Sequence, residues 1–132
     1  MHQIILKYKD TIVVSRGDAF LTLARSIVGQ QISVSAAQAV WTRVEAHFKK
    51  ITPKKIIVAN VSDLRAAGLS GRKVEYIKDL AHHFQYGGLD KVRWHELSDE
   101  EIIRQLTEIR GIGRWTVEMF LIFNLMRPDI FP

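Results

Sequence analysis

The sequence predicts an all-α fold, and three observations carry that prediction. Apolar residues recur at helical spacing in one segment after another. These segments open on capping residues or close on glycine. Extended patterning is confined to the first fifteen residues, with no alternation of strand and helix after it.

Residues 4–6 and 11–14 are rich in β-branched side chains and read as short extended pieces. Residues 1–15 are therefore expected to form an N-terminal segment ahead of a helical domain over 16–132. Asp18 is the expected N-cap of the first helix, with Phe20, Leu23, Ala24 and Ile27 on its inner face. Ala37, Val40, Trp41, Val44 and Phe48 repeat the spacing, and Trp41 reads as core. Thr52-Pro53 starts a short helix with proline in its first turn. Gly68 and Gly71 bracket a turn. Val74, Ile77, Ala81 and Phe84 then mark an amphipathic helix closed by Gly87-Gly88. Ser98 and Glu101 form the pattern of a capping box, and Ile102, Leu106 and Ile109 line the next face. Residues 115–125 are apolar nearly all round, which predicts burial.

Composition narrows the function classes. With no cysteine, disulfides, Cys-ligated zinc and iron–sulfur clusters are excluded. No apolar run reaches membrane-spanning length. The first residues lack the basic stretch and long apolar core of a secretory signal, so a cytoplasmic setting is expected. The net charge is +5. Residues 43–93 concentrate it, with eleven Lys/Arg against five Asp/Glu. Such an excess either attracts a polyphosphate or is a solvated helical surface. His82 and His83 are adjacent in mid-helix and point apart, so no metal site is read and no cofactor is expected.

The most informative stretch is Leu106-Thr-Glu-Ile-Arg-Gly-Ile-Gly-Arg-Trp-Thr116. A helix ends, a Gly-Ile-Gly turn follows, and a new helix begins. Two glycines permit a sharp turn and leave its surface clear of side chains. Amides of Gly111, Gly113 and the following turn then face outward at a helix N-terminus, where the backbone dipole favours a phosphate. Ile112 can tuck between the helices and hold the hairpin shut. Arg110 and Arg114 flank the turn and offer charge-assisted contacts. Gly-x-Gly alone describes many plain corners. The longer pattern, Leu-x-x-Ile-x-Gly-Ile-Gly-x-x-Thr between apolar helices, is far more specific.

That pattern resembles the helix-hairpin-helix motif of DNA-binding proteins, here over residues 99–125. The resemblance extends to residues 20–48, with Ser26-Ile-Val-Gly-Gln-Gln-Ile-Ser-Val34, and to Ala67-Gly-Leu-Ser-Gly-Arg-Lys-Val74. Together these are similar to 3-methyladenine DNA glycosylase II proteins of the AlkA type, within the helix-hairpin-helix DNA glycosylase superfamily. The resemblance implies a monomeric, monofunctional enzyme. It would act on double-stranded DNA, extrude an alkylated base and hydrolyse its N-glycosidic bond. Arg110, Gly111, Ile112, Gly113, Arg114 and Thr116 would contact DNA. Gln31 aligns with the wedge that fills the gap left by the base, and Gln30 either shares that role or holds the loop. Both glutamines would otherwise only satisfy loop backbone groups. Trp115 falls where lyase-type relatives hold a Schiff-base lysine, so amine chemistry is not expected there. Its ring would instead stack on an electron-poor base, with Met119 one turn later on the same side.

The resemblance also implies a catalytic aspartate soon after a Phe-Pro-like segment, which would stabilise the cationic sugar or activate water. In this sequence it is expected beyond Pro132, so no catalytic residue is assigned. Asp129, after Pro128, reads as part of a turn. The chain is accordingly expected to be an incomplete and inactive part of a glycosylase fold. The alternatives are a non-catalytic helix-hairpin-helix DNA-binding module and, last, a helical domain whose hairpin mediates protein contacts.

Overall fold

A computed structural model describes residues 18–123, and within them the chain is helical with no strand. The extended pieces expected near the N-terminus, and Asp129, lie outside the described residues. Seven α-helices follow one another: α1 (Ala19–Val28), α2 (Val34–Phe48), α3 (Pro53–Val58), α4 (Val61–Ala66), α5 (Gly71–Tyr86), α6 (Asp99–Leu106) and α7 (Arg114–Phe123). Short 3-10 turns at Leu89–Lys91 and Trp94–Glu96 link α5 to α6.

Capping fixes where most helices begin. Asp18 Oδ1 accepts from the Leu21 amide at 3.0 Å, and Ser33 Oγ accepts from Ala36 at 3.1 Å. Thr52, Ser70 and Ser98 do the same for α3, α5 and α6, each at 3.2 Å. Each such cap contributes about 1 kcal/mol. The capping box at α6 forms only one of its two bonds by this means. The Glu101 carboxylate instead pairs with Arg104 one turn on.

α1 and α5 form the centre. Leu23, Ala24 and Ile27 of α1 and Ile77, Leu80 and Ala81 of α5 are fully buried. α3 and α4 pack on α5, while α7 packs on α1. Ile102 and Leu106 of α6, Ile109 in the turn, and Val117, Phe120 and Leu121 of α7 complete one continuous core. Truncating a side chain such as Leu23 to alanine would cost about 2–5 kcal/mol. Trp41 is core, as expected, and the Arg25 guanidinium lies 5.6 Å from its ring centroid.

Two features differ from the sequence reading. α4 is an added helix, too short for its periodicity to show, and Asn60 makes no side-chain cap bond at its start. α7 is not buried all round. Val117, Phe120 and Leu121 face inward, but Trp115 keeps 69% of its surface exposed.

The basic middle of the chain has a structural use that its charge count does not reveal. Lys73 Nζ donates to the Val28 carbonyl at the end of α1, at 2.9 Å. Lys55 Nζ donates to Phe48 at the end of α2, at 3.0 Å. Lys78 Nζ reaches the carbonyls of Ile56, Ile57 and Ala59 at the end of α3, at 2.9, 3.1 and 2.7 Å. Arg43 Nε donates to Ala67 after α4, at 2.8 Å. Each cation meets the negative end of a helix dipole and satisfies carbonyls that have no partner within their helix. Burial lowers the pKa of Lys73 and Lys78 below the ordinary lysine value.

Candidate functional site

The hairpin turn is set by two glycines with different tasks. Gly111 has φ +85°, a left-handed conformation that an L side chain adopts only under strain. A Cβ placed on it would lie 2.5 Å from the Tyr76 ring. Gly111 therefore provides the turn and the close packing of the hairpin on α5. Gly113 has no positive φ, and a Cβ there would meet nothing within 4 Å. Its missing side chain leaves space on the outer surface.

The peptide between Gly111 and Ile112 is occupied at both ends. Gln30 Nε2 donates to the Gly111 carbonyl at 2.6 Å, and the Ile112 amide donates to the Ile109 carbonyl at 3.1 Å. Ile112 itself is a buried plug, as expected, but it offers no unpaired amide to a ligand. The donors that remain come next. Val117 makes the first helical bond of α7, to the Gly113 carbonyl at 3.2 Å. The amides of Gly113, Arg114, Trp115 and Thr116 precede it, and they have no acceptor among the described residues. α1, α2, α3, α5 and α6 each satisfy such donors with an Asp, Ser or Thr side chain. α7 starts after a glycine, which has no side chain to give. Its positive end is left open to an anion.

The flanking arginines are already engaged. Arg110 Nη2 lies 3.0 Å from Glu75 Oε1, while its backbone amide donates to Asp79 Oδ2 at 3.1 Å. Arg114 bridges Glu100 at 3.0 Å and Glu118 at 3.1 Å. Hydrogen bonds that the Arg114 guanidinium donates to the carboxylates of Glu100, then Glu118, hold it above its ordinary pKa. All of these groups are wholly or partly exposed, so the pairs are weak and a phosphate can compete for either arginine. Glu75, Tyr76 and Asp79 make α5 the platform on which the hairpin rests. Sequence reasoning missed this role. Their i, i+1, i+4 spacing on one side of α5 was the available signal.

Beside the open end of α7 lies a cleft of about 460 Å³ lined by Ser26, Gly29, Gln30, Gln31, Trp115 and Thr116. The structure thus brings together Gln30, Gln31, Trp115 and Thr116, from segments 80 residues and more apart. Trp115 forms one exposed wall, and Thr116 is buried at the base of α7. Met119 is half-buried one turn on and is not part of the lining. Gln31 is exposed with φ +60°, and its side chain makes no hydrogen bond among the described residues. Gln30 is half-buried and tied to the hairpin by its side-chain amide. A smaller cleft of about 140 Å³ flanks the same two glutamines on the side of Ser70, Arg72, Lys73 and Tyr76. No Asp or Glu lines the Trp115 cleft among the described residues. No cluster of metal-ligating side chains occurs among them either.

Residues 24–132 match the family described as the HhH-GPD superfamily base excision DNA repair protein. The chain is 36% identical over 138 aligned residues to DNA-3-methyladenine glycosylase 1 of Schizosaccharomyces pombe, covering 98% of this chain and 59% of that protein. It is similar in structure to a DNA-3-methyladenine glycosidase from Bacillus halodurans, with a TM-score of 0.81 and 38% identity, over 87% of this chain and 54% of that one. The structure of S. pombe 3-methyladenine DNA glycosylase in complex with abasic DNA aligns with a TM-score of 0.71 and 37% identity, over 80% of this chain and 53% of that one. The chain spans little more than half the length of these relatives.

Proposed function

Because the chain belongs to the HhH-GPD superfamily of base excision DNA repair proteins, we propose that it holds duplex DNA and receives an extruded alkylated base. In this reading it supplies the DNA-gripping part of a 3-methyladenine-type glycosylase. One observation carries the reading. Trp115, 69% exposed, and Thr116 stand at the uncapped start of α7 and line one cleft with Gln30 and Gln31. An anion and a flat apolar base are the two ligands that such a site suits.

The amides of Gly113 to Thr116 bind a backbone phosphate, with Arg110 and Arg114 exchanging carboxylate for phosphate partners. Gln31 enters the duplex where the base has left. Trp115 stacks on the extruded base, and a cationic, alkylated ring gains most from that contact. Breaking the N-glycosidic bond requires a carboxylate near the departing base. No described residue lining the Trp115 cleft supplies that group. The relatives bear names of 3-methyladenine glycosylases, and one of them was solved on abasic DNA. A monomer acting inside the cell on damaged double-stranded DNA is the setting this reading implies.

The test is release of 3-methyladenine from methylated duplex DNA by the protein, followed by chromatography. Release of the free base supports the reading. Tight, salt-sensitive DNA binding with no release would favour a non-catalytic DNA-binding module, the reading supported by a cleft without a carboxylate among its described lining residues.

A further inference from the structure

One hydrogen bond joins two parts of the site that lie 81 residues apart: Gln30 Nε2 donates to the Gly111 carbonyl at 2.6 Å. Both ends of this bond lie at left-handed backbone. Gln31, next to Gln30, has φ +60°, and Gly111 has φ +85°. On the α1 side, the Gln30 backbone amide is still held by the Ile27 carbonyl at 3.2 Å. The base of the loop is therefore fixed, and Gln31 departs from it in a set direction. On the hairpin side, the Gly111–Ile112 peptide is held by Gln30 at its oxygen and by Ile109 at its nitrogen.

We propose that Gln30 is a positioning residue whose amide keeps the Gln31 loop in register with the phosphate-binding hairpin. The inference rests on the DNA-binding reading above and adds a division of labour between the two glutamines. Gln30 spends its donor on Gly111 and stays half-buried, while Gln31 is exposed and unbonded among the described residues. A phosphate seated on the hairpin amides then defines where Gln31 meets the duplex. The energetic benefit arises only on DNA with a gap to fill. On intact DNA the hairpin can bind with Gln31 idle.

The experiment uses the full chain and two labelled duplexes of one sequence, one undamaged and one carrying a tetrahydrofuran abasic analogue, titrated by fluorescence anisotropy. Gln30→Met, Gln30→Glu, Gln31→Ala and the double variant Q30M/Q31A are compared with wild type. Loss of one hydrogen bond lowers affinity for the abasic duplex about fivefold in Gln30→Met. Gln30→Glu sets a negative charge against the Gly111 carbonyl and loses affinity on both duplexes, so the selective effect is read from Gln30→Met. Binding to undamaged duplex stays within about twofold of wild type, and in a Gln31→Ala background Gln30→Met adds no further loss, because it acts through Gln31. Equal losses on both duplexes, in step with a lower melting temperature, would reduce Gln30 to scaffold and overturn the proposal. Additive losses in the double variant would overturn it too, by making Gln30 an independent contact. A wild-type chain without preference for the abasic duplex would overturn the DNA reading as well, which separates the two failures.

Discussion

The two hairpin glycines have opposite sensitivities, and Gly111→Ala exposes the first. At φ +85° an alanine costs roughly 1–2 kcal/mol in backbone strain. Its Cβ would also sit 2.5 Å from both Cγ and Cδ2 of Tyr76 and 2.9 Å from its Cβ. The Tyr76 ring cannot swing clear by a distal rotation alone, because its own Cβ is among the close atoms. Forcing extra volume into such a contact costs about 1–3 kcal/mol more. The sum is about 2–5 kcal/mol, a large share of the roughly 5–15 kcal/mol that holds a domain folded. In urea, with a slope of about 2 kcal/mol per M, the midpoint falls by about 1–2.5 M at unchanged slope. Adding Tyr76→Ala to this variant removes the two ring contacts at 2.5 Å but leaves the 2.9 Å contact with Cβ and the strain of the turn, so it recovers only part of the loss. Gly113→Ala is the counterpart. With open space and no positive φ, it leaves the midpoint near wild type or slightly above it. Its methyl group nevertheless stands on the face where a phosphate approaches, and DNA affinity falls at least about tenfold. A Gly111→Ala midpoint within about 0.3 M of wild type would refute the reasoning about the turn.

Other perturbations separate packing from binding. Lys78→Met removes the cation that satisfies three carbonyls at the end of α3, and urea denaturation should register a loss of about 2 kcal/mol. Lys54→Met, at an exposed position, should change stability by less than about 0.5 kcal/mol. Trp115→Ala should likewise leave stability within about 0.5 kcal/mol while weakening binding to abasic duplex, whereas Phe120→Ala, at 1% exposure, should cost about 3–5 kcal/mol. The pair Glu100→Gln and Glu118→Gln frees Arg114 from its carboxylates. DNA affinity at low salt should then rise, while Arg114→Met should flatten the slope of log affinity against log salt by about one unit for one lost phosphate contact. An unchanged slope would show that Arg114 meets no phosphate.

Much of this arrangement was legible in the sequence, because it depends on local rules. The caps at Asp18, Thr52 and Ser98 and the apolar faces they start are short-range signals, and each stands where the structure places it. The turn at Gly111 and the plug at Ile112 follow from the same kind of pattern. Relations between distant segments were not legible. Nothing local to Gln30 announces the Gly111 carbonyl, and nothing local to Tyr76 announces the turn it supports. The lysines read as surface charge because sequence shows their sign but not the helix end each one meets. Trp115 sits in an apolar run whose composition argued for burial. Only the packing of Val117, Phe120 and Leu121 decides which side of α7 remains outside.

The most direct test of the account follows the backbone amides of the 15N-labelled chain by NMR as an abasic-analogue duplex is added. The largest shifts are expected at Gly113, Arg114, Trp115 and Thr116, together with the Trp115 indole and the Gln31 amide. Gly88, and Val58 at the end of α3, should stay still. Shifts concentrated on the basic residues of α3 and α5, with Gly113 to Thr116 unmoved, would contradict the account.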